Sequence, residues 1–186
     1  MEGDALTGRL LVATPEIEDG IFHRSVVLVL DHNDGGAQGV VLNRPLEAEV
    51  DTILPGWQAL ATQPDTVFHG GPVQTDSALG LVSVPGADDA PMGIRRLFGG
   101  MGVVDLDAPP PLVASEVSGL RIFAGYAGWT AGQLEGEIRT GSWYVVDAEA
   151  RDAFTDNPTD LWVRVLRRQQ DSLAFVSTYP KDPSLN

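Results

Sequence analysis

The stretch RSVVLVLDHNDGGAQGVVLNRP, residues 24–45, constrains the fold more than any other segment. Residues 25–30 and 39–42 form two almost wholly apolar runs, which indicate strands buried on both faces near the centre of a sheet. The residues between them, DHNDGG, are types that tolerate positive φ or form local side-chain turns. The simplest prediction is therefore a β-hairpin with this polar segment as its turn.

The remaining segments predict short strands and helices in irregular alternation. Further strands are expected at 8–13, 66–73, 78–84, 120–127 and 142–146, with QTDS separating the second from the third and a loop over 85–93. Helices are expected at 48–54, 112–117, 130–138 and 160–170, with a single helical turn at 149–154. In the first of these, Val50, Ile53 and Leu54 share one face. This mixture predicts an α+β fold or a mixed sheet rather than a regular parallel one.

The length of 186 residues predicts one domain over 1–186, with loose termini at 1–7 and 180–186. The aliphatic runs are too short to span a bilayer, and the start, MEGDAL, is acidic where a signal peptide would be basic. We therefore expect a soluble, cytoplasmic protein without a membrane partner.

Charge and missing residue types exclude several classes of site. The chain has no cysteine, which rules out disulfides, thiolate metal sites and Cys nucleophiles. Eleven of the twelve bases are arginines, and the single lysine, Lys181, lies in the polar tail, so no phosphate-loop or Schiff-base lysine is expected in the folded body. The net charge of −14 disfavours direct nucleic-acid binding.

Three histidines are the candidate imidazoles: His23, His32 and His69. No two have the spacing of a helical zinc motif, and the acids match no EF-hand loop, so we expect neither a metal nor a cofactor. His32 is expected to be a solvated turn residue, with a functional role as the alternative. His69 precedes Gly70 and Gly71, whose N–H groups could face an anion, although a plain turn at the strand end is favoured.

Two further constellations could bind a ligand. Asn43 and Arg44 close a buried strand with an amide and a guanidinium, which could fork onto a carboxylate or phosphate or could equally hold a neighbouring loop. Tyr126 and Trp129 lie close to a predicted helix N-terminus, a natural anion site, although packing is the favoured interpretation. On the last helix, three arginines at 164, 167 and 168 are expected to stabilise its C-terminal end.

Five blocks, in order, resemble the YqgE/AlgH family of bacterial proteins: LLVATP (10–15), the stretch 22–45, HGGPV (69–73), GYAGWTAGQLEGEI (125–138) and SWYVV (142–146). The resemblance covers residues 8–168 and implies a bent, largely antiparallel sheet forming a partial barrel with flanking helices. Many relatives follow GGPV with an aspartate-arginine pair and a strand ending in leucine-histidine, whereas this chain has TDSALGLVSV. No mechanism that uses that arginine or histidine applies here.

Most members of that family have no assigned activity, and some are linked to the transcriptional control of exopolysaccharide production. Our leading hypothesis is a non-enzymatic binding or accessory module that uses a small anion or a protein partner. Its site would gather His32, Asn43, Arg44 and the His69–Gly70–Gly71 turn. The alternatives are a hydrolase that uses His32 or His69 with Arg44, and a transcriptional regulator that acts indirectly through a partner.

Overall fold

The computed structural model describes residues 6–18, 20–86, 91–170 and 172–179. Its strands are β1 (Leu10–Ala13), β2 (Val26–Asn33), β3 (Gly36–Val41), β4 (Pro45–Glu49), β5 (Thr66–His69), β6 (Val73–Ser83), β7 (Ile94–Phe98), β8 (Met101–Val104), β9 (Gly119–Thr130) and β10 (Trp143–Val146). Its α-helices are α1 (Val50–Ile53), α2 (Pro110–Ala114), α3 (Gln133–Arg139), α4 (Leu161–Arg167) and α5 (Leu173–Val176). Short 3₁₀ helices lie at Gln58–Leu60, Ala150–Asp152 and Pro158–Asp160. The predicted loose termini, and residues 87–90 of the predicted loop, fall almost entirely outside the described residues.

The strands form one curled sheet in the order β10-β1-β2-β3-β9-β6-β8-β7, with every neighbouring pair antiparallel. β4 pairs antiparallel with β5, and β5 pairs parallel with β9. The curl closes the sheet into half a barrel, with helices on both of its faces. The α+β fold and the largely antiparallel partial barrel are thus confirmed.

The opening stretch forms the predicted hairpin. β2 and β3 pair antiparallel, with Asn33 opposite Gly36, so the turn itself contains only Asp34 and Gly35. The Oδ1 atom of Asn33 accepts a hydrogen bond from the Gly35 N–H at 2.7 Å. Both strands lie inside the sheet, and residues 26–29 are at most 1% exposed, which confirms that they are covered on both faces.

Strand β9 joins the two halves of the sheet. Its first half pairs with β5 and β6, whereas residues 127–130 pair with β3. Gly125, between the two halves, has a φ of +77°, in the left-handed region that favours glycine. The bend at Gly125 lets one strand serve both halves.

Apolar side chains fill the space on both faces of the sheet. α4 and α5 cover one face, where Leu28, Phe68, Phe123, Trp162 and Val165 belong to the same cluster. On the other face α3 covers a second cluster with Val27, Val29, Trp129, Leu134 and Trp143. A third cluster lies against α1 and α2.

Four element predictions need correction. QTDS lies within β6, where a register shift between Val73 and Ala78 absorbs the polar residues instead of ending the strand. The β7–β8 hairpin was missed because its glycines mask the alternation of apolar residues. In α1 only Val50 is buried, and Ile53 is 53% exposed, because the helix is a single turn. The last predicted helix ends at Arg167, and α5 follows it.

Candidate binding site

His32 is buried rather than solvated, so the favoured prediction for it is wrong. Val29 pairs with Gly39 and Asp31 with Gln38, which leaves Leu30 as the extra residue of a β-bulge. The bulge shifts the alternation of faces, so His32 points to the face covered by α3 and is only 3% exposed. Its Nε2 atom lies 2.9 Å from Oε2 of Glu135, and its buried Nδ1 atom has no hydrogen-bond partner among the described residues.

Glu135 connects α3 to the hairpin. Hydrogen bonds from its own backbone N–H and from His32 lower the pKa of the Glu135 carboxyl below its ordinary value. The carboxyl is therefore ionised at neutral pH, and an imidazole that carries its proton on Nε2 can donate to it. The His32–Glu135 pair holds the helix against the sheet.

Asn43 and Arg44 hold a neighbouring segment of the chain. Oδ1 of Asn43 accepts from the Val26 N–H at 3.0 Å, and its Nδ2 donates to the Arg24 carbonyl at 2.9 Å. The Arg44 guanidinium donates to the carbonyls of Asn43 and His23, and burial lowers the pKa of Arg44. Of the two interpretations left open by the sequence, these contacts favour the structural one.

The glycines after His69 allow two backbones to approach closely. The Gly70 N–H donates to the Ala124 carbonyl at 2.8 Å, and the Gly70 carbonyl accepts from Val41 at 2.8 Å, so its N–H group is not free for an anion. A Cβ atom at Gly71 would lie 2.1 Å from the carbonyl carbon of Tyr126. His69 itself is half-buried at the end of β5, and its N–H donates to the Arg44 carbonyl at 2.8 Å.

Trp129 takes part in a buried polar contact that sequence reasoning missed. The Nε1 atoms of Trp129 and Trp143 both donate to Oε1 of Glu137, at 2.9 and 3.0 Å. The two rings meet edge to face with centroids 6.2 Å apart. Trp129 is 8% exposed, as expected for a packing role. The block GQLEGEI shows two acids near a helix start, but nothing in the sequence indicates their partners.

A cleft lies beside the hairpin turn, and we call it the hairpin cleft. It has a volume of about 460 Å³. Its lining includes Asp31, Asn33, Gln38, Tyr126, Trp129 and Thr130, and none of the described residues in the lining is basic. Tyr126 and Trp129 are therefore the two predicted site residues that reach a common cleft.

Arg121 is a buried charge that sequence reasoning did not single out. It is 1% exposed, and its guanidinium donates to the carbonyls of Ala153, Thr155, Thr62 and Gln63 at 2.8–3.4 Å. It also lies 4.4 Å from the centre of the Phe68 ring. Burial lowers the pKa of Arg121 to about 10, so it stays charged at neutral pH. A lone arginine within the apolar run LRIFA was the signal that could have revealed it.

The arginines of α4 bind nearby polar groups. Arg168 forms a two-pronged contact with the Asp152 carboxylate at 2.7 and 2.8 Å, and hydrogen bonding to Asp152 raises the pKa of Arg168. Arg164 donates to Thr155 and to the Asn157 carbonyl. These arginines hold the segment that precedes α4.

Two classes of feature are missing from the described part of the chain. No group of three or more His, Asp or Glu side chains there is arranged to hold a metal ion. Likewise, none of the helices there has the length and apolar character needed to cross a bilayer.

Comparison with known proteins gives consistent results. Residues 10–174 match the model of a family described as AlgH-like. UPF0301 proteins of Streptomyces avermitilis and Streptomyces coelicolor are each 56% identical to the chain, covering 100% of it and 97% of their own length.

Two solved structures share the fold. A crystal structure of a Corynebacterium diphtheriae protein superimposes with a TM-score of 0.87 at 35% identity, covering 94% of this chain and 92% of that one. The solution structure of AlgH from Pseudomonas aeruginosa superimposes with a TM-score of 0.68 at 26% identity, covering 94% of each chain. On the strength of the matched family model and of these relatives, the chain belongs to the AlgH-like family of bacterial proteins, which include the two UPF0301 proteins above.

Proposed function

We propose that the protein is a non-enzymatic binding module that recognises a protein partner through the hairpin cleft. One contrast carries the proposal. The candidate catalytic groups His32 and Arg44 are bonded within the fold, whereas the hairpin cleft presents exposed acceptor groups and the half-buried Tyr126 ring. A set of fixed acceptors on a rigid sheet suits recognition.

The lining of the cleft favours a partner that supplies hydrogen-bond donors or positive charge. Asp31 carries a negative charge, Asn33 and Gln38 are exposed amides, and no arginine or lysine balances them in the lining. A small anion would meet repulsion from Asp31 and from the net charge of −14. The small anion expected from sequence is therefore the weaker of the two proposed ligands.

The predicted site residues then divide into two roles. Tyr126 contacts the partner directly, because its half-buried side chain lines the cleft, whereas Trp129, which is 8% exposed, supports the cleft wall. His32, Asn43 and the glycines 70–71 position the walls, since each is bonded to or packed against a neighbouring strand or helix. Indirect transcriptional regulation fits this assignment, since a binding module acts through its partner.

The proposal is tested by amide NMR titration of the labelled protein with two libraries, one of small anions and one of short peptides. We expect peptides with basic residues to shift the signals of Asp31, Gln38 and Thr130. The double variant Asp31→Asn, Gln38→Ala should abolish those shifts. Glu116→Gln, a change at an exposed acid outside the cleft lining, is the matched control. Shifts confined to Arg44 and His69, and produced by the anions, would instead support an anion site.

Hydrolysis is the alternative activity, and the geometry of His32 weighs against it. A general base must come within hydrogen-bond distance of the proton that it removes. Nε2 of His32 is occupied by Glu135, and Nδ1 is buried away from solvent. His69 is the other histidine to test, so ester and phosphoester substrates should be assayed with the wild type and with His69→Ala. Turnover that disappears in His69→Ala would favour the enzyme.

A further inference from the structure

The outer side of β10 carries backbone groups that no other described strand pairs with. In the part of the chain that the structure describes, β10 pairs with β1 only and is one edge of the main sheet. The Thr14 N–H donates to the Ser142 carbonyl at 3.0 Å, so alternate residues from Ser142 onward bond to β1. The intervening residues, Trp143 and Val145, therefore direct their N–H and C=O groups away from the sheet.

An aromatic groove lies against the same strand. It has a volume of about 690 Å³, and Trp143, Tyr144, Tyr179, Glu16 and Glu18 are among its lining residues. None of the described residues that line it is an arginine, lysine or histidine. Aromatic faces beside carboxylates attract ammonium and guanidinium groups through cation–π and Coulomb interactions. The groove therefore complements a positively charged side chain.

The two glutamates of this aromatic groove form no ion pair with the described residues, although the Arg24 guanidinium donates to the backbone carbonyl of Tyr179 at the edge of the groove. Both side chains are exposed, and neither takes part in an ion pair within residues 6–18, 20–86, 91–170 and 172–179. Burial raises the pKa of the Tyr144 hydroxyl, and the neighbouring Tyr179 and Glu16 add to the shift. The two carboxylates would attract a cation bound here.

We propose that an extended basic segment of a partner protein adds to the outer side of β10 as a further strand, with its lysine or arginine side chains in the aromatic groove. Backbone bonding to Trp143 and Val145 supplies affinity, and the spacing of alternate side chains supplies selectivity. This surface is separate from the hairpin cleft.

The test uses the full-length protein and a fluorescein-labelled extended peptide of about eight residues that alternates lysine and valine. Fluorescence anisotropy should show saturable binding that weakens as salt rises. Replacing lysine by glutamate in the peptide should abolish binding. The double variant Glu16→Gln, Glu18→Gln should weaken it about tenfold. The matched control is Glu47→Gln, Glu49→Gln, on exposed residues of β4, with unchanged affinity.

N-methylated peptides separate strand addition from simple attraction of charges. Methyl groups on alternate amides block one hydrogen-bonding edge of the peptide and preserve its charge. We expect binding to be lost in one of the two methylation registers and retained in the other. Equal binding of both registers, or no saturable binding of the parent peptide, would overturn the proposal.

Two further results would also overturn it. If Lys181→Gln in the full chain tightens peptide binding, the groove is occupied by the protein's own C-terminal segment. If sedimentation without peptide shows self-association, and added peptide reduces it, the occupant is a second copy of the chain. A monomer with unchanged affinity in Lys181→Gln supports a separate basic partner.

Discussion

Two buried polar centres tie irregular segments to the same sheet, and they use opposite charges. Under α3, the Glu137 carboxylate accepts from two indoles, one on β9 and one on β10. On the other half of β9, the Arg121 guanidinium donates to four carbonyls from two separate loops. Glu137 is half-buried, whereas Arg121 is 1% exposed.

The two centres differ in which hydrogen-bonding groups are left unpaired when the charged side chain is removed. Without Glu137, two indole N–H groups lose their acceptor, and Oε2 of Glu137 no longer accepts from Gln133 near the surface. Without Arg121, several backbone carbonyls that solvent reaches poorly lose their donor together. Because a buried polar group left unpaired costs more than a typical hydrogen bond contributes, Arg121 should matter more to stability.

The largest effect is expected for Arg121→Met, which keeps much of the volume and removes every donor. We expect a loss of about 3 kcal/mol in the free energy of unfolding, measured by urea denaturation. Arg151→Met is the control, since that side chain is 77% exposed, and it should change stability by less than about 0.5 kcal/mol. Equal stabilities of the two variants would contradict the role given to Arg121.

Glu137→Ala should lower the free energy of unfolding by about 2 kcal/mol, because it leaves the two indole donors without their acceptor. In two-dimensional NMR the indole N–H signals of Trp129 and Trp143 should move, and that of Trp57 should not. Glu135→Ala, on the same helix, breaks the contact with His32 and serves as the control. Identical indole spectra for the two variants would show that Glu137 does not hold the tryptophans.

Asn43→Ala extends the comparison to a neutral buried group. It removes the acceptor for Val26 and the donor to Arg24, and Asn43 is 3% exposed, so we expect a loss of about 1.5 kcal/mol. Asn33→Ala, which removes one exposed turn contact, should cost about 0.5 kcal/mol in the same urea experiment. If Asn43→Ala lost less free energy of unfolding than Asn33→Ala, Asn43 would not be needed for the fold, and a ligand-binding role would be favoured.

The smallest effect is a pH dependence at Glu135. The pKa of Glu135 is lower in the folded state than in the unfolded state, so the unfolded state binds a proton more readily as the pH falls. The stabilisation from Glu135 is therefore fully present above the unfolded pKa and is lost as the pH falls through the folded pKa. The stability difference between wild type and Glu135→Gln should therefore shrink between about pH 6 and about pH 3. It should stay below about 1 kcal/mol, because the side chain is 41% exposed. If the stability difference between the two proteins stayed constant over this pH range, the His32–Glu135 contact would not contribute to it.

The local pattern of apolar and polar residues predicted the positions of the central strands better than it predicted the direction of individual side chains. The hairpin and the buried strands predicted at 25–30 and 39–42 followed from continuous apolar runs, and the half-barrel followed from the family resemblance. The orientation of His32 could not be predicted, because it depends on a single extra residue, Leu30, in the ladder between β2 and β3.

Long-range partners were also beyond the sequence. Glu137 meets Trp129 and Trp143 only after α3 has folded back over the sheet, and Arg121 meets carbonyls more than thirty positions away. The candidate site therefore changed from a cluster around Arg44 to a cleft beside Tyr126 and Trp129.

The position of β9 late in the chain has a consequence for how the protein acquires its structure. β3 and β6 are made early, but the strand that lies between them begins only at residue 119. During synthesis, β3 remains an unpaired sheet edge until β9 has been made. The pairing of β3 with β9 then closes a loop of roughly 90 residues. Such high contact order implies slow folding and a nascent chain that is vulnerable to aggregation until β9 arrives.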